Sequence, residues 1–311
     1  MNKIVAKKKL LKLLIYLGLL VFIGFGLIGL YFFVYLNYEL RKSNPTENIE
    51  EFIFIAPVFE PDTFVNLNLT YEASGFENID SLFDNFEKFH RNYSDDSLSI
   101  FSFRGNAWRN APQLGKIKSR PENIELKWIF YTGYDTLTTN LGQWGGGAGW
   151  TGQALLIRWD SIQKRKLGIE NEEFLANPNA YEAIIGSLCG NIYFIDAETG
   201  KSTRQHLSIE NPIKGTVAVD PRKNGLLYVG QGVKHRNRFG AYVFDMFSQE
   251  EIKFISGYDD FAYRRWCAFD SNPLIDKNSG TVFWPGENGL IYRFVIDENK
   301  EFKNLVKLRY K

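Results

Sequence analysis

Two groups of side chains in this 311-residue chain have types and spacing that could do chemistry. In Trp144-Gly-Gly-Gly-Ala-Gly-Trp150 the glycines, Gly146 among them, permit positive φ or close backbone approach. The flanking Trp144 and Trp150 could then stack a flat ligand or a sugar, or merely cover a channel mouth where a strand begins. The second group, Arg264-Arg265-Trp266, follows Asp259 and Asp260 and sets opposite charges beside an aromatic ring. It reads either as a binding loop or as a solvated ion cluster.

Other chemistries find no footing. No Gly-Lys-Ser/Thr follows the glycine run, so it is not a phosphate-binding P-loop. Gly230-Gln-Gly232 starts like a dinucleotide fingerprint, but His235 stands where the third glycine belongs and no crossover helix pattern follows. His90, His206 and His235 are scattered, without metal-ligand spacing, and no Ser-His-Asp set is visible. Cys189 and Cys267 rule out a disulfide-dense scaffold; they either bond to each other or stay as two buried thiols in separate units. With 37 basic against 36 acidic residues, no global field draws the chain to nucleic acid.

Before such loops can act, the chain must be placed and folded. From Leu13 to Tyr38 there is no charged residue, which exceeds the ~20 apolar residues a helix needs to span a bilayer. Lys3, Lys7, Lys8, Lys9 and Lys12 precede the run, whereas beyond it Arg41 and Lys42 are quickly followed by Glu47, Glu50 and Glu51. The positive-inside rule then predicts a single-pass anchor in the inner membrane, N-terminus in the cytoplasm and the rest on the periplasmic side. The run is too long for a signal-peptide core and no A-x-A site follows it. The expected organisation is a basic tail over 1–12, a transmembrane helix over 13–38, an acidic stalk over 39–100 and a folded region over 101–311.

That folded region is expected to be all-β. Aromatic residues make up 16% of the chain and glycines number 27, and short β-branched runs alternate with Gly, Asn and Asp turns. Self-comparison shows one plan three times. One unit runs Gly215–Asp220, Leu226–Gly230, Ala241–Asp245 and Glu251–Ile255; a second runs Ser271–Asp276, Gly280–Trp284, Gly289–Phe294 and Leu305–Arg309. The upstream unit runs Thr151–Ile157, Tyr181–Ile185 and Gly190–Asp196, then turns at Glu198-Thr-Gly-Lys201 into its next strand. Four-stranded repeats of this size predict blades of a β-propeller.

Gly190-Asn-Ile-Tyr-Phe-Ile-Asp-Ala-Glu-Thr-Gly-Lys201 closely resembles the repeat of pyrroloquinoline-quinone (PQQ)-type propellers, in which a third strand ends in Asp before a Thr-Gly-Lys turn. Phe103-Arg-Gly-Asn-Ala-Trp-Arg-Asn110 resembles the segment that opens many such propellers. Glu125-Leu-Lys-Trp-Ile-Phe-Tyr-Thr-Gly133 resembles the strand that closes the ring on the last blade. The chain departs from the pattern where the family has a Trp three residues after its Lys; here that residue is Arg204.

The resemblance implies a PQQ-like propeller of about three visible blades. Propellers close with 4 to 8, so a fragment is expected, or a ring completed by further blades or another chain. For function, the resemblance implies a binding or scaffold module for protein or glycan, with Trp144, Gly146, Trp150, Arg264, Arg265 and Trp266 as the candidate ligand site. The alternative is a quinoprotein dehydrogenase holding PQQ with calcium, for which the sequence offers no identifiable metal ligands.

Overall fold

The computed structural model describes residues 29, 31, 34–35, 71–74, 99–111, 119–149, 151–236 and 238–310. The anchor expected over 13–38 lies outside them except for residues 29, 31, 34 and 35, which are helical, and Trp150 lies outside them altogether. Among the described residues no helix is long and apolar enough to cross a membrane. The chain divides into two compact units, Met1–Leu67 and Asn68–Lys311, and the architecture below is that of the second.

Its described residues include the strands β1 (Tyr71–Ser74), β2 (Tyr134–Thr139), β3 (Gly142–Gly146), β4 (Leu155–Ile157), β5 (Glu182–Gly186), β6 (Asn191–Asp196), β7 (Leu207–Ser208), β8 (Ala218–Val219), β9 (Leu226–Gly230), β10 (Gly240–Asp245), β11 (Glu250–Ser256), β12 (Leu274–Ile275), β13 (Thr281–Pro285), β14 (Leu290–Ile296) and β15 (Phe302–Tyr310). They form three antiparallel meanders, β4-β5-β6-β7, β8-β9-β10-β11 and β12-β13-β14-β15, plus the hairpin β2-β3. The three meanders coincide with the three sequence units, so all-β architecture and the repeat plan are both present. Each third strand ends in the same turn: Asp196, Asp245 and Asp297 accept the backbone N–H two residues on, from Glu198, Phe247 and Asn299, each at 2.9 Å. Such Asx turns reverse the chain cheaply because the side chain supplies the acceptor.

Burial follows the pleat. In β14, Leu290, Tyr292, Phe294 and Ile296 are buried while Ile291, Arg293 and Val295 are half-buried, the period-two pattern of a sheet with one face in the core. The middle sheet differs: every residue of β9 and β10 is buried. One apolar cluster takes in residues of all three meanders, from Ile184 and Phe194 through Tyr228 and Val243 to Trp284 and Phe294. Between the second and third sheets the filling is aromatic, with the Trp284 ring 6.0 Å from Tyr228 and 5.7 Å from Phe269.

Between the first and second sheets the filling includes charge. Arg204, at the position where the family pattern has Trp, is 6% exposed. Its Nη2 donates to Glu182 at 3.0 Å and its Nε to the other carboxylate oxygen at 3.2 Å. The guanidinium also lies 3.7 Å from the Phe194 ring centroid, and Nη2 reaches Met246 Sδ, beyond β10, at 3.5 Å. Glu182, wholly buried, accepts two further bonds, from Trp159 Nε1 at 2.9 Å and Thr203 Oγ1 at 2.5 Å.

The segment Ser99–Ala111 contacts the first strand, or the approach to it, of each of the three sheets. Ile100 pairs with Leu156 of β4, the Phe101 carbonyl accepts from Val219 of β8, and Arg109 donates to the Asn272 carbonyl just before β12, at 2.8 Å. Asn272 in turn donates to the carbonyls of Thr216 and Val217, both at 3.0 Å. This segment therefore ties the three sheets together.

Two expectations need correction. Glu125–Gly133 does not pair with the last sheet. Residues 125–133 form no strand and lie on the first sheet, where Trp128 Nε1 donates to the Ala197 carbonyl at 3.1 Å and Gly133 N–H to Tyr193 Oη at 2.6 Å. Trp128 and Phe130 find their apolar cover there, on Ala183, Tyr193 and Ile195. The outer edge of β15 is taken instead by β1, in register Tyr71↔Tyr310 to Ser74↔Lys307, so part of the expected stalk adds a strand to the third sheet. Helix is also slightly more abundant than expected: α1 (Ser161–Lys166) and α2 (Glu172–Ala176) are inserted between β4 and β5. Asp160 and Gln163 form a capping box at the start of α1.

Removing one partner of the buried pair leaves an uncompensated charge. Arg204→Ala is expected to lower the unfolding free energy by about 3–5 kcal/mol, and adding Glu182→Gln to that variant should recover part of the loss. Urea denaturation followed by tryptophan fluorescence checks both; equal stability of Arg204→Ala and the native chain contradicts the assignment.

Candidate functional site

One end of the three sheets carries the β5–β6, β9–β10 and β13–β14 loops together with the links from β7 to β8 and from β11 to β12. The Asx turns occupy the opposite end. At the loop end, side chains from separate segments converge. Lys214, on the β7–β8 link, makes an ion pair with Asp270, on the β11–β12 link, and their side chains are only 15% and 19% exposed. Lys214 Nζ also lies 5.8 Å from the ring centroid of Trp144. Glu287, in the β13–β14 turn, is held in place by its N–H, which donates to the Ala268 carbonyl at 2.9 Å. Its carboxyl sits beside Asp270 and close to the Trp266 indole.

The backbone makes room for this cluster. A Cβ on Gly232 would fall 2.3 Å from Asp270 Oδ1 and 2.4 Å from Lys214 Cε, so any larger residue would displace the ends of the paired side chains. A Cβ on Gly149 would fall 2.2 Å from the Lys214 carbonyl oxygen, which accounts for one glycine of the run before Trp150.

The two sequence-predicted groups are thus joined through residues that neither contained. Trp144 and Trp266 stand at opposite ends of the series Lys214, Asp270, Glu287. Gly146 belongs elsewhere: a Cβ there would lie 2.3 Å from the Gly133 carbonyl oxygen, and the residue lines an apolar groove of about 450 Å³ with Trp128 and Phe130. Arg264 and Arg265 are exposed and have no ion-pair partner among the described residues, while Asp259 pairs with Lys307 at 2.6 Å. Cys189 and Cys267 are separate free thiols. Gln231, in the discarded dinucleotide-like motif, is a buried strut that donates to the Ile209 carbonyl at 2.7 Å and accepts from Gly240 N–H at 2.8 Å.

The electrostatics of the cluster are unequal. Burial first, and the Asp270 carboxylate second, push the Glu287 carboxyl above the usual carboxylate range, while the Lys214 ammonium pulls it back. Asp270 has Lys214 as its counter-ion; Glu287 does not. The nearby hairpin is clasped by a second charge set. Asp135, on β2, accepts from Arg236 Nη1 at 2.8 Å, and that bond holds its carboxyl down at about 2. His235 Nδ1 lies 3.4 Å from the same carboxylate; its ring is wholly enclosed, and Nε2 has no hydrogen-bond partner among the described residues.

PQQ with calcium does not fit this donor set. Calcium takes six to eight oxygens, but a lysine ammonium already occupies Asp270, and no group of three or more His, Cys, Asp or Glu residues among those described could hold a metal ion.

Sequence reasoning missed Lys214, Asp270 and Glu287 because they are dispersed over three loops. A signal existed: Lys214 and Asp270 hold the same position of successive units, one residue before Gly215 and Ser271, and carry opposite charges.

A carboxyl pushed above its ordinary value destabilises the fold once pH rises past the unfolded value of about 4.3. Glu287→Gln is therefore expected to raise the thermal midpoint at pH 7 and to leave it unchanged at pH 4. Differential scanning fluorimetry at the two pH values checks this; a lower midpoint at pH 7 contradicts it.

No protein-family model matches the chain, and comparison with curated proteins finds no match.

Proposed function

We propose that the chain is a membrane-anchored, extracytoplasmic PQQ-like β-propeller module that binds protein or glycan through the loop end of its sheets. Three repeated four-stranded meanders joined by a shared segment support the propeller reading, each meander being one blade. The uncharged run from Leu13 to Tyr38, with five lysines before it against Arg41 and Lys42 after it, supports the anchor and its orientation.

The observation that carries the binding reading is the convergence of Trp144, Lys214, Asp270, Glu287 and Trp266 at one end, from segments far apart in sequence. Trp266 is 41% exposed, and a large aromatic left in solvent beside a half-buried polar cluster is the composition of a recognition site rather than of a core. The dehydrogenase alternative rests on the family resemblance alone, since the donor set for calcium is missing among the described residues.

A photo-crosslinking residue placed at the exposed position 265, next to Trp266, of the full chain in native membranes is expected to capture a ligand, while the same residue at the exposed Ile162, on α1, captures none. Protease added outside spheroplasts should cleave the sheet region. Absence of adducts at position 265 contradicts the binding role, and protection from external protease contradicts the orientation.

A further inference from the structure

We infer that the ligand at the loop end is a glycan, one sugar ring of which stacks on Trp266 with its hydroxyls on Asp270, Glu287 and Lys214. This deepens the binding-module reading and rests on it.

Three observations point to a polyhydroxylated ring rather than to an ion. First, Trp266 exposes 41% of its surface and its indole borders the Glu287 carboxyl, so an apolar ring is offered to solvent beside a polar group. The C–H face of a pyranose is the apolar partner such an indole takes. Second, the polar groups beside it are mixed in kind. Lys214 donates only; Asp270 Oδ1 is an enclosed acceptor with no partner among the described residues; Glu287, burdened by burial and by Asp270, keeps a proton more readily than an ordinary carboxyl. A hydroxyl both donates and accepts, so neighbouring hydroxyls can satisfy all three. A simple cation meets the Lys214 ammonium, and a simple anion meets two carboxyls; neither suits the set. Third, Trp144 borders the same polar group, its ring centroid 5.8 Å from Lys214 Nζ, so a second indole is at hand beside the charges.

The probe is an immobilised panel of neutral and uronic-acid pyranose oligosaccharides, applied to the detergent-solubilised full chain and followed by fluorescence titration with the sugar retained. At least one oligosaccharide is expected to bind and to shift tryptophan emission. Trp266→Ala should weaken binding about tenfold or more, and Trp266→Phe, which keeps an aromatic face, should retain most of it. Circular dichroism of each variant establishes that it is folded. No retained sugar, or equal affinity in Trp266→Ala, overturns the glycan assignment. If the panel is blank while the photo-crosslinker at position 265 captures a protein, the glycan assignment fails and the binding-module reading stands; if both are blank, both fail.

Discussion

The placement of the loop end depends on a buried ion pair. Glu182 and Arg204 sit between the first and second sheets, and neither is exposed enough to keep water as a partner. Taking two charges out of water costs several kcal/mol per ion, and the attraction between them offsets this only with good geometry and filled hydrogen-bonding sites. Both conditions hold. Arg204 meets both oxygens of Glu182, Thr203 and Trp159 add a bond to each oxygen, and Phe194 covers the guanidinium. Because Arg204 also reaches Met246, the pair binds one sheet to the next as well as locking a strand.

The second and third sheets are joined differently. There Trp284, Tyr228 and Phe269 pack as an aromatic wedge, and the polar links run round its margin: Arg222 donates to the Ile296 carbonyl, Lys300 pairs with Asp245, and Asn288 donates to the Gly257 carbonyl. An aromatic wedge tolerates small sliding, whereas a bidentate ion pair sets both distance and direction. The segment Ser99–Ala111 constrains all three sheets at once. Lys214, Asp270 and Glu287 come from links and turns of successive sheets, so their meeting is a consequence of this inter-sheet geometry and not of any local motif.

Strands were legible in the sequence where both faces are buried or where burial alternates strictly. Leu226–Gly230 was bounded correctly, and Asp196 and Asp245 marked their turns because Asx turns need that side chain. The insertion bearing α1 and α2 was not legible, since each helix spans barely one turn and owes its existence to caps at Asp160 and Asn171 and to tertiary packing of Lys164 and Phe174. Glu125–Gly133 has strand-like alternation but lies on the first sheet through Trp128 and Phe130, a choice set by side-chain burial that backbone pattern does not encode. Arg204 looked like a lost interface residue; its role became visible only beside Glu182, which is distant in sequence. The site was half legible. Trp144 and Trp266 stood out by type, whereas the charged residues between them are ordinary loop residues until the fold brings them together.

If the Glu182–Arg204 pair makes the first and second sheets one cooperative unit, native-state hydrogen exchange of the full chain across a urea series will show the amides of β5 and β6 opening with the same free energy and urea dependence as those of β9 and β10. A first sheet that exchanges through an opening of its own, well below that of the second, would show that the pair does not couple them.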